Sequence, residues 1–280
     1  MVSGLRLGQV EYIYYLPVYY ALEEGLLPLE AELIKGSPTR LNRLFLEGEL
    51  EVTSLSSIEY ARNADRCLIL PGLSINADGP VANILFFSKM PVTELEGKTV
   101  CLTETSATSV VLLKILFDHY YHVDVHFETV PPDFDRMMEK AEGALLIGDE
   151  AVLAHQRVKE NHLPYQVTDL GEAWKQFTGE KMVYAIWVAR SDYAKANPEK
   201  VKDLAKTLQE SKNVGMNRLP EIIALAQKKS PLPLSFIENF YKTVCYGFDE
   251  TDQRALLTFF NYAYKSGLIE DRVKLRFLDD

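Results

Sequence analysis

No stretch of the chain approaches the 18 or so consecutive apolar residues of a membrane-spanning helix, so no span is predicted and no membrane partner is expected. The first residues, MVSGLRLGQVEYIYY, contain no long apolar core and no cleavage signature, which reads as a cytoplasmic location. Cysteine is scarce: Cys67, Cys101 and Cys245 lie far apart, two of them in the apolar runs CLIL and VCLT. That pattern fits buried thiols in a reducing compartment rather than a disulfide framework. Basic residues are outnumbered, 30 Lys and Arg against 40 Asp and Glu for a net charge of -10, with no basic tail or stripe. Nucleic acid is therefore not an expected partner. An anionic ligand is not excluded, but helix ends, hydroxyls and a few local cations would have to hold it. The GxGxxG, P-loop and GxSxG motifs are missing, which removes support for dinucleotide, nucleoside-triphosphate and serine-hydrolase readings. There is no tandem repeat and no low-complexity tract.

What is present is an alternation of strand and helix signals. The 280 residues, 47% of them hydrophobic, suffice for one large domain or two modest ones. LRLGQV, AELIKG, VTSLS, CLILP and VANILFFS read as strands. LPVYYALEEG reads as a helix ending at Gly25, SPTRLNRLFLEGEL as a helix with Pro38 in its first turn, and SIEYARNA as a short helix. After MPVTELEGK the pattern restarts: KTVCLT, VDVHFETV, ALLIG and YQVTDL read as strands separated by helices, and YQVTDL is followed by a strong β run, MVYAIWVAR; from Asn197 only helices are indicated. Repeated βαβ units imply largely parallel sheets covered by helices. The predicted organisation is a first lobe of residues 1–90 plus 190–280, including a C-terminal helical cover, and a second lobe of 91–189. A ligand would sit in a cleft between lobes, at the carboxyl ends of strands.

The stretch TETSATSVVLLKILF packs Thr103, Thr105, Ser106, Thr108 and Ser109 directly before an apolar helix. Thr105 or Ser106 is the predicted N-cap. One cap needs one hydroxyl, and the surplus hydroxyls with the first-turn amides either form an anion site or make a merely Ser/Thr-rich wet loop. SLSSIEYA sets Ser54, Ser56 and Ser57 at a second strand-to-helix junction, where one serine caps and two are bystanders, or the turn receives a ligand. DGPVAN puts Gly79 and Pro80 in a turn, with Asn83 either facing a cleft or bonded at a sheet end. In GDEA, Asp149 and Glu150 end an apolar strand; Asp149 either caps the next helix or serves as a carboxylate that binds a hydroxyl or moves a proton. Arg40 and Arg43 face either an anion loop or solvent. His119, His122 and His126, with Asp118 and Asp124, straddle a helix end and a strand, a poor arrangement for zinc and a good one for a solvated terminus. Lys98 reads as a turn residue rather than a catalytic lysine, Trp187 as core, and Trp174, which follows Gly171, as packed or lining a pocket.

Taken together, GELEVTSLSSIEYA, ILPGLSINADGPVANILFFS, ELEGKTVCLTETSATSVVLLK and ALLIGDEAV resemble the menaquinone-biosynthesis chorismate dehydratases of the futalosine route. The similarity runs from about Leu5 to Arg190 and more loosely through the helical tail. The related dihydroxynaphthoate synthases open on an SPCPNDTF-like stretch that is absent here. The resemblance implies a two-lobed α/β fold of type II periplasmic-binding-protein type, with mixed, mostly parallel sheets. It implies a cytoplasmic lyase that converts chorismate to 3-[(1-carboxyvinyl)oxy]benzoate and water, with no metal or organic cofactor. It assigns Ser56 and Ser57, with Gly79, to binding, and Ser106, Thr108 and Ser109 to a second carboxylate. Asp149 or Glu150 would be the base, unless the substrate's own enolpyruvyl carboxylate serves. Members usually show SYLNxxP near the N-terminus and GPVxSV further on; here EYIYYLP places Tyr14 at the Asn position, and GPVANI places Asn83 where Ser is common. Tyr14 and Asn83 are therefore candidates to share the polar work of catalysis. The competing expectation is a non-catalytic cytoplasmic binding protein or sensor for an aromatic or dicarboxylate anion, since fold alone does not fix function. Oligomerisation is left open.

Overall fold

The computed structural model of the protein describes residues 4–278. In chain order the elements are β1 (Arg6–Val10), α1 (Leu16–Glu23), β2 (Glu32–Gly36), α2 (Pro38–Leu46), β3 (Val52–Ser56), α3 (Ser57–Arg62), β4 (Cys67–Ala77) and β5 (Ile84–Ser88). Next come β6 (Thr99–Thr103), α4 (Ala107–Leu116), β7 (His126–Val130), α5 (Phe134–Lys140), β8 (Gly143–Ile147), α6 (Gly148–Glu160), β9 (Gln166–Asp169) and α7 (Leu170–Thr178). The chain continues through β10 (Met182–Arg190), α8 (Ser191–Ala196), α9 (Pro198–Asn217), α10 (Leu219–Lys229), α11 (Leu234–Thr243), β11 (Val244–Cys245) and α12 (Glu250–Lys265). None of the described helices is long and apolar enough to cross a membrane.

These elements form two compact units. The first holds the described residues up to Asn76, Val183–Leu257 and those from Val273 onward; the second holds Ala77–Met182 and Thr258–Arg272. The sheet of the first unit has the order β11-β4-β10-β3-β1-β2, with β1 parallel to β2 and β3, and β10 antiparallel to β3. Its helix α1 lies against α9 so closely that a Cβ on Gly215 would come within 2.1 Å of the Pro17 carbonyl oxygen, so no side chain fits there. The sheet of the second unit has the order β7-β6-β8-β5-β9; β6 runs parallel to β7 and β8, while β5 is antiparallel to β8 and β9.

Two of the predicted boundaries are corrected by this pairing. The strand ILFFS was placed in the first lobe, but as β5 it lies between β8 and β9 of the second sheet, so the second unit starts at Ala77 rather than at 91. The strand MVYAIWVAR was placed at the end of the second lobe, but as β10 it pairs with β3 and belongs to the first unit. The second half of α12, from Thr258, also joins the second unit instead of covering the first. Every residue of β5 and of β8 is buried, as their unbroken apolar runs require, and fully burying a side chain such as Phe87 or Leu146 stabilises by about 1.5–3 kcal/mol. Trp174 and Trp187 are both fully buried, Trp174 meeting Phe259 edge-on with ring centroids 6.0 Å apart.

Candidate active site

In the first unit, the chain leaves β1 into a single 3-10 turn, Ile13–Tyr15, that feeds α1, whose first turn carries Pro17. The Tyr14 ring is half-exposed and packs against Tyr12, Tyr15 and Phe240, with centroids 5.1, 5.2 and 5.6 Å away. The backbone of this turn is held by two distant phenols. Tyr241 donates to the Ile13 carbonyl at 2.6 Å and Tyr246 to the Tyr14 carbonyl at 2.8 Å. Burial pushes the pKa of both phenols above the usual tyrosine value, so both remain protonated donors. Tyr15 is buried, accepts a bond from Ser54 at 3.2 Å, and is likewise pushed up by burial.

Nearby in sequence, Ser56 ends β3 and is the N-cap of α3, without a side-chain capping bond. Its hydroxyl instead accepts from Asn42 Nδ2 at 3.0 Å, and its amide donates to Asn42 Oδ1 at 3.4 Å. Ser57 is fully buried and donates to the Val183 carbonyl at 2.7 Å, a tie between α3 and β10. Ser57 thus spends its hydroxyl proton on the fold, and Ser56 is the half-exposed member of the pair. Arg40 is exposed and donates to the Lys35 carbonyl at 2.9 Å, which turns it toward its own helix start.

In the second unit, the chain passes from β4 to β5 through Asp78–Asn83. Gly79 has φ +105° and Ala82 has φ +66°, both in the left-handed region. Asn83 is buried, and its Oδ1 has no hydrogen-bond partner among the described residues. An unpaired buried amide oxygen is destabilising by about 1–3 kcal/mol unless a ligand or water supplies a donor. The Asn83 carbonyl accepts the Gly148 amide at 2.8 Å, so Asn83 sits beside the first turn of α6. Asp149 and Glu150 follow in that turn, Asp149 half-buried and Glu150 exposed. Ile147 occupies the N-cap position of this helix, so Asp149 stands inside its first turn rather than at the cap.

The hydroxyl stretch starts α4 with Ser106 as the N-cap, its Oγ accepting the Ser109 amide at 3.2 Å. Ser106 also donates to the Ser109 hydroxyl at 2.9 Å, and the Thr103 and Thr105 hydroxyls pair at 2.8 Å. Part of the surplus is thereby consumed internally. Ser106 is half-exposed, whereas Thr108 and Ser109 are buried. His119 bonds Ser266 at 2.9 Å and His122 closes the helix end with φ +54°; among the described residues no cluster of His, Cys, Asp or Glu is placed to hold a metal.

Two residues escaped the sequence reading. Asn42 braces Ser56 from the buried face of α2, and an Asn between Leu41 and Arg43 gives no outward signal. Asp169 gathers amides from two separate segments. Its signal was available: Asp169 followed three residues later by Glu172 is a helix-start pattern.

Comparison with known proteins follows the same lines. A chorismate dehydratase of Thermus thermophilus is 29% identical over 271 residues, 90% of this chain and 93% of that protein. A 1,4-dihydroxy-6-naphtoate synthase of the same organism is 28% identical over 183 residues, 62% of each chain. Among solved structures, a protein from Archaeoglobus fulgidus superimposes with a TM-score of 0.77 at 22% identity, covering 95% of this chain and 98% of that one. The periplasmic aliphatic sulphonate binding protein of Escherichia coli does so with a TM-score of 0.67 at 14% identity, covering 96% and 89%. The fold is that of type II periplasmic binding proteins, two α/β units with mixed, partly parallel sheets. The profile of the family described as menaquinone biosynthesis matches residues 5–265, nearly the whole chain, and the chain belongs to that family.

Proposed function

We propose that the protein is a chorismate dehydratase, a cytoplasmic carbon-oxygen lyase of menaquinone biosynthesis that yields 3-[(1-carboxyvinyl)oxy]benzoate and water. The observation that carries this reading is the co-linear similarity to a curated chorismate dehydratase over 90% of the chain, inside a family match from 5 to 265. The chemistry suits a site built from amides, hydroxyls and carboxylates. A base removes the C3 proton, the C–H pair becomes the C3=C4 bond, and the C4–O bond breaks. The departing hydroxide takes up a proton and leaves as water. Aromatisation of the ring drives the reaction, so no cofactor enters the scheme. The task for the protein is to hold two carboxylates, orient the ring and donate a hydrogen bond to the leaving oxygen.

Ser56 with the first turn of α3 is the proposed ligand of one carboxylate, and the Tyr14 phenol a polar group with a ring face. The Ser106 end of α4, supported by Thr108 and Ser109, is the proposed ligand of the other carboxylate. Asn83 offers its amide to the C4 hydroxyl: Oδ1, without a partner among the described residues, can accept from that hydroxyl in the bound substrate, and the Nδ2 group is the donor to the oxygen as it leaves. Asp149 is the favoured protein base over the more exposed Glu150. Incubating purified, metal-stripped protein with chorismate and following product by absorbance and mass tests the reading. Formation of the carboxyvinyloxy-benzoate is expected. Tight binding without turnover would overturn it in favour of a binding protein.

A further inference from the structure

We propose that Asp169 is a positioning residue for the reaction: its carboxylate locks the Val81–Ala82 turn and thereby sets both Asn83 and the first turn of α6. This rests on the assignment of Asn83 and Asp149 to the chemistry. Asp169 closes β9 opposite Leu85 of β5, so its side chain stands at the end of the sheet beside the turn. Its Oδ2 accepts the Ala82 amide at 2.6 Å and the Val81 amide at 3.0 Å. Its Oδ1 accepts Val81 at 3.1 Å, Gly171 at 2.9 Å and Glu172 at 3.1 Å. Four backbone amides from two segments therefore converge on one carboxylate, an arrangement that fixes both segments to each other.

The consequence runs through Ala82. Its φ of +66° is a conformation that an L-residue keeps only when its surroundings hold it. The Ala82 amide bond to Oδ2 is that hold. Asn83 comes next in the chain, and its carbonyl in turn receives the Gly148 amide. A rotation at Ala82 would move the Asn83 amide and loosen the start of the helix that bears Asp149. The alternative is that Asp169 is only the N-cap of α7, for which Oδ1 alone is sufficient.

The two oxygens separate these roles. Asp169→Asn keeps Oδ1 as the cap, since Asn caps as well as Asp, but turns an NH2 toward the Ala82 amide. Asp169→Ala removes both functions. Steady-state kinetics with chorismate, thermal unfolding and amide hydrogen exchange are measured on both variants and on Asp169→Asn combined with Ala82→Gly. Glycine takes a positive φ without a holding contact. Asp169→Asn is expected to lower kcat by about 10- to 100-fold with KM within about threefold, to unfold near the wild-type temperature, and to speed exchange of the 81–84 amides and Gly148. Ala82→Gly in that background should restore kcat by about threefold or more. Loss of thermal stability with unchanged kcat, or wild-type exchange at 81–84 in Asp169→Asn, would overturn the proposal. If the wild-type protein fails to turn over chorismate, the functional reading falls. The exchange data still decide the lock: faster exchange at Asn83, Ile84 and Gly148 upholds it, and unchanged exchange ends it.

Discussion

The Ile13–Tyr15 turn of the first unit and the Val81–Asn83 turn of the second are both candidate substrate contacts, and they are held in opposite ways. The first is gripped by its carbonyls, each accepting a hydrogen bond from a buried phenol that arrives from the C-terminal third of the chain. The second is gripped by its amides, which share one carboxylate. The first presents an aromatic cluster, Tyr12, Tyr14, Tyr15 and Phe240. The second presents an amide oxygen with no partner among the described residues. The contrast teaches that the aromatic turn is occupied with packing, whereas the amide turn retains an unspent acceptor that a bound hydroxyl can satisfy.

That division predicts large kinetic effects in the second unit and effects on stability in the first. The largest is expected from Asp149→Asn: kcat should fall by about 100- to 10,000-fold if this carboxylate removes the C3 proton. Steady-state turnover checks it, and near-normal rates in Asp149→Asn and Glu150→Gln alike would move proton removal to the substrate's own enolpyruvyl carboxylate. Asn83→Ala should lower kcat by roughly 10- to 1000-fold with modest change in KM, because the contact to the leaving hydroxyl strengthens in the transition state. A rise in KM alone would make Asn83 a simple binding group.

Tyr246→Phe should act on the fold instead. It leaves the Tyr14 carbonyl without its donor, at a loss of about 1–3 kcal/mol in urea denaturation, with kcat little changed. The same phenol carries a pH signature. Burial raises its folded-state pKa, so its contribution is full below the unfolded value of about 10 and is lost as pH rises beyond it. Wild-type protein should therefore lose stability more steeply above about pH 10 than the Phe variant does. The smallest effect belongs to Tyr14→Phe, which keeps all three ring contacts: turnover should drop less than for Asn83→Ala, with unfolding unchanged. Unaltered turnover would reduce Tyr14 to packing and make the contrast between the turns complete.

Much of this was legible in the sequence because it rests on local chemistry. VTSLS reads as a strand and is Val52–Ser56; Thr105 or Ser106 reads as the cap, and Ser106 is the residue that fills it. The switch points between units were not legible, since they depend on which strand pairs with which. Pro71 and Gly72 read as the end of a short strand, yet β4 runs on to Ala77. The strand passes through Gly72 at φ +70°, and Gln209 donates to the Pro71 carbonyl and Lys212 to that of Gly72, groups more than a hundred residues distant in the chain. Likewise the apolar face of α12 announces that it is covered but not by what; Trp174 packs on Phe259. Within the site, the hydroxyls at 103–109 were visible, but their mutual pairing was not, because pairing is a matter of side-chain direction.

The interleaving of the two units also bears on how the chain is made. In the first sheet β10 lies between β3 and β4, so β4 cannot join the strands that precede it until β10 has emerged from the ribosome, after nearly all of the second unit. The second unit is itself incomplete until Thr258–Arg272 follows. Neither body can mature during synthesis while the other waits, unlike the domain-by-domain order of beads on a string. For a stretch of translation β4 is an apolar strand without its neighbour, and the long sequence separation of the β3–β10 pair predicts slow closure. Cells making this protein would need to shield that strand, and a chain cut short before β10 should fail to fold rather than leave a working half.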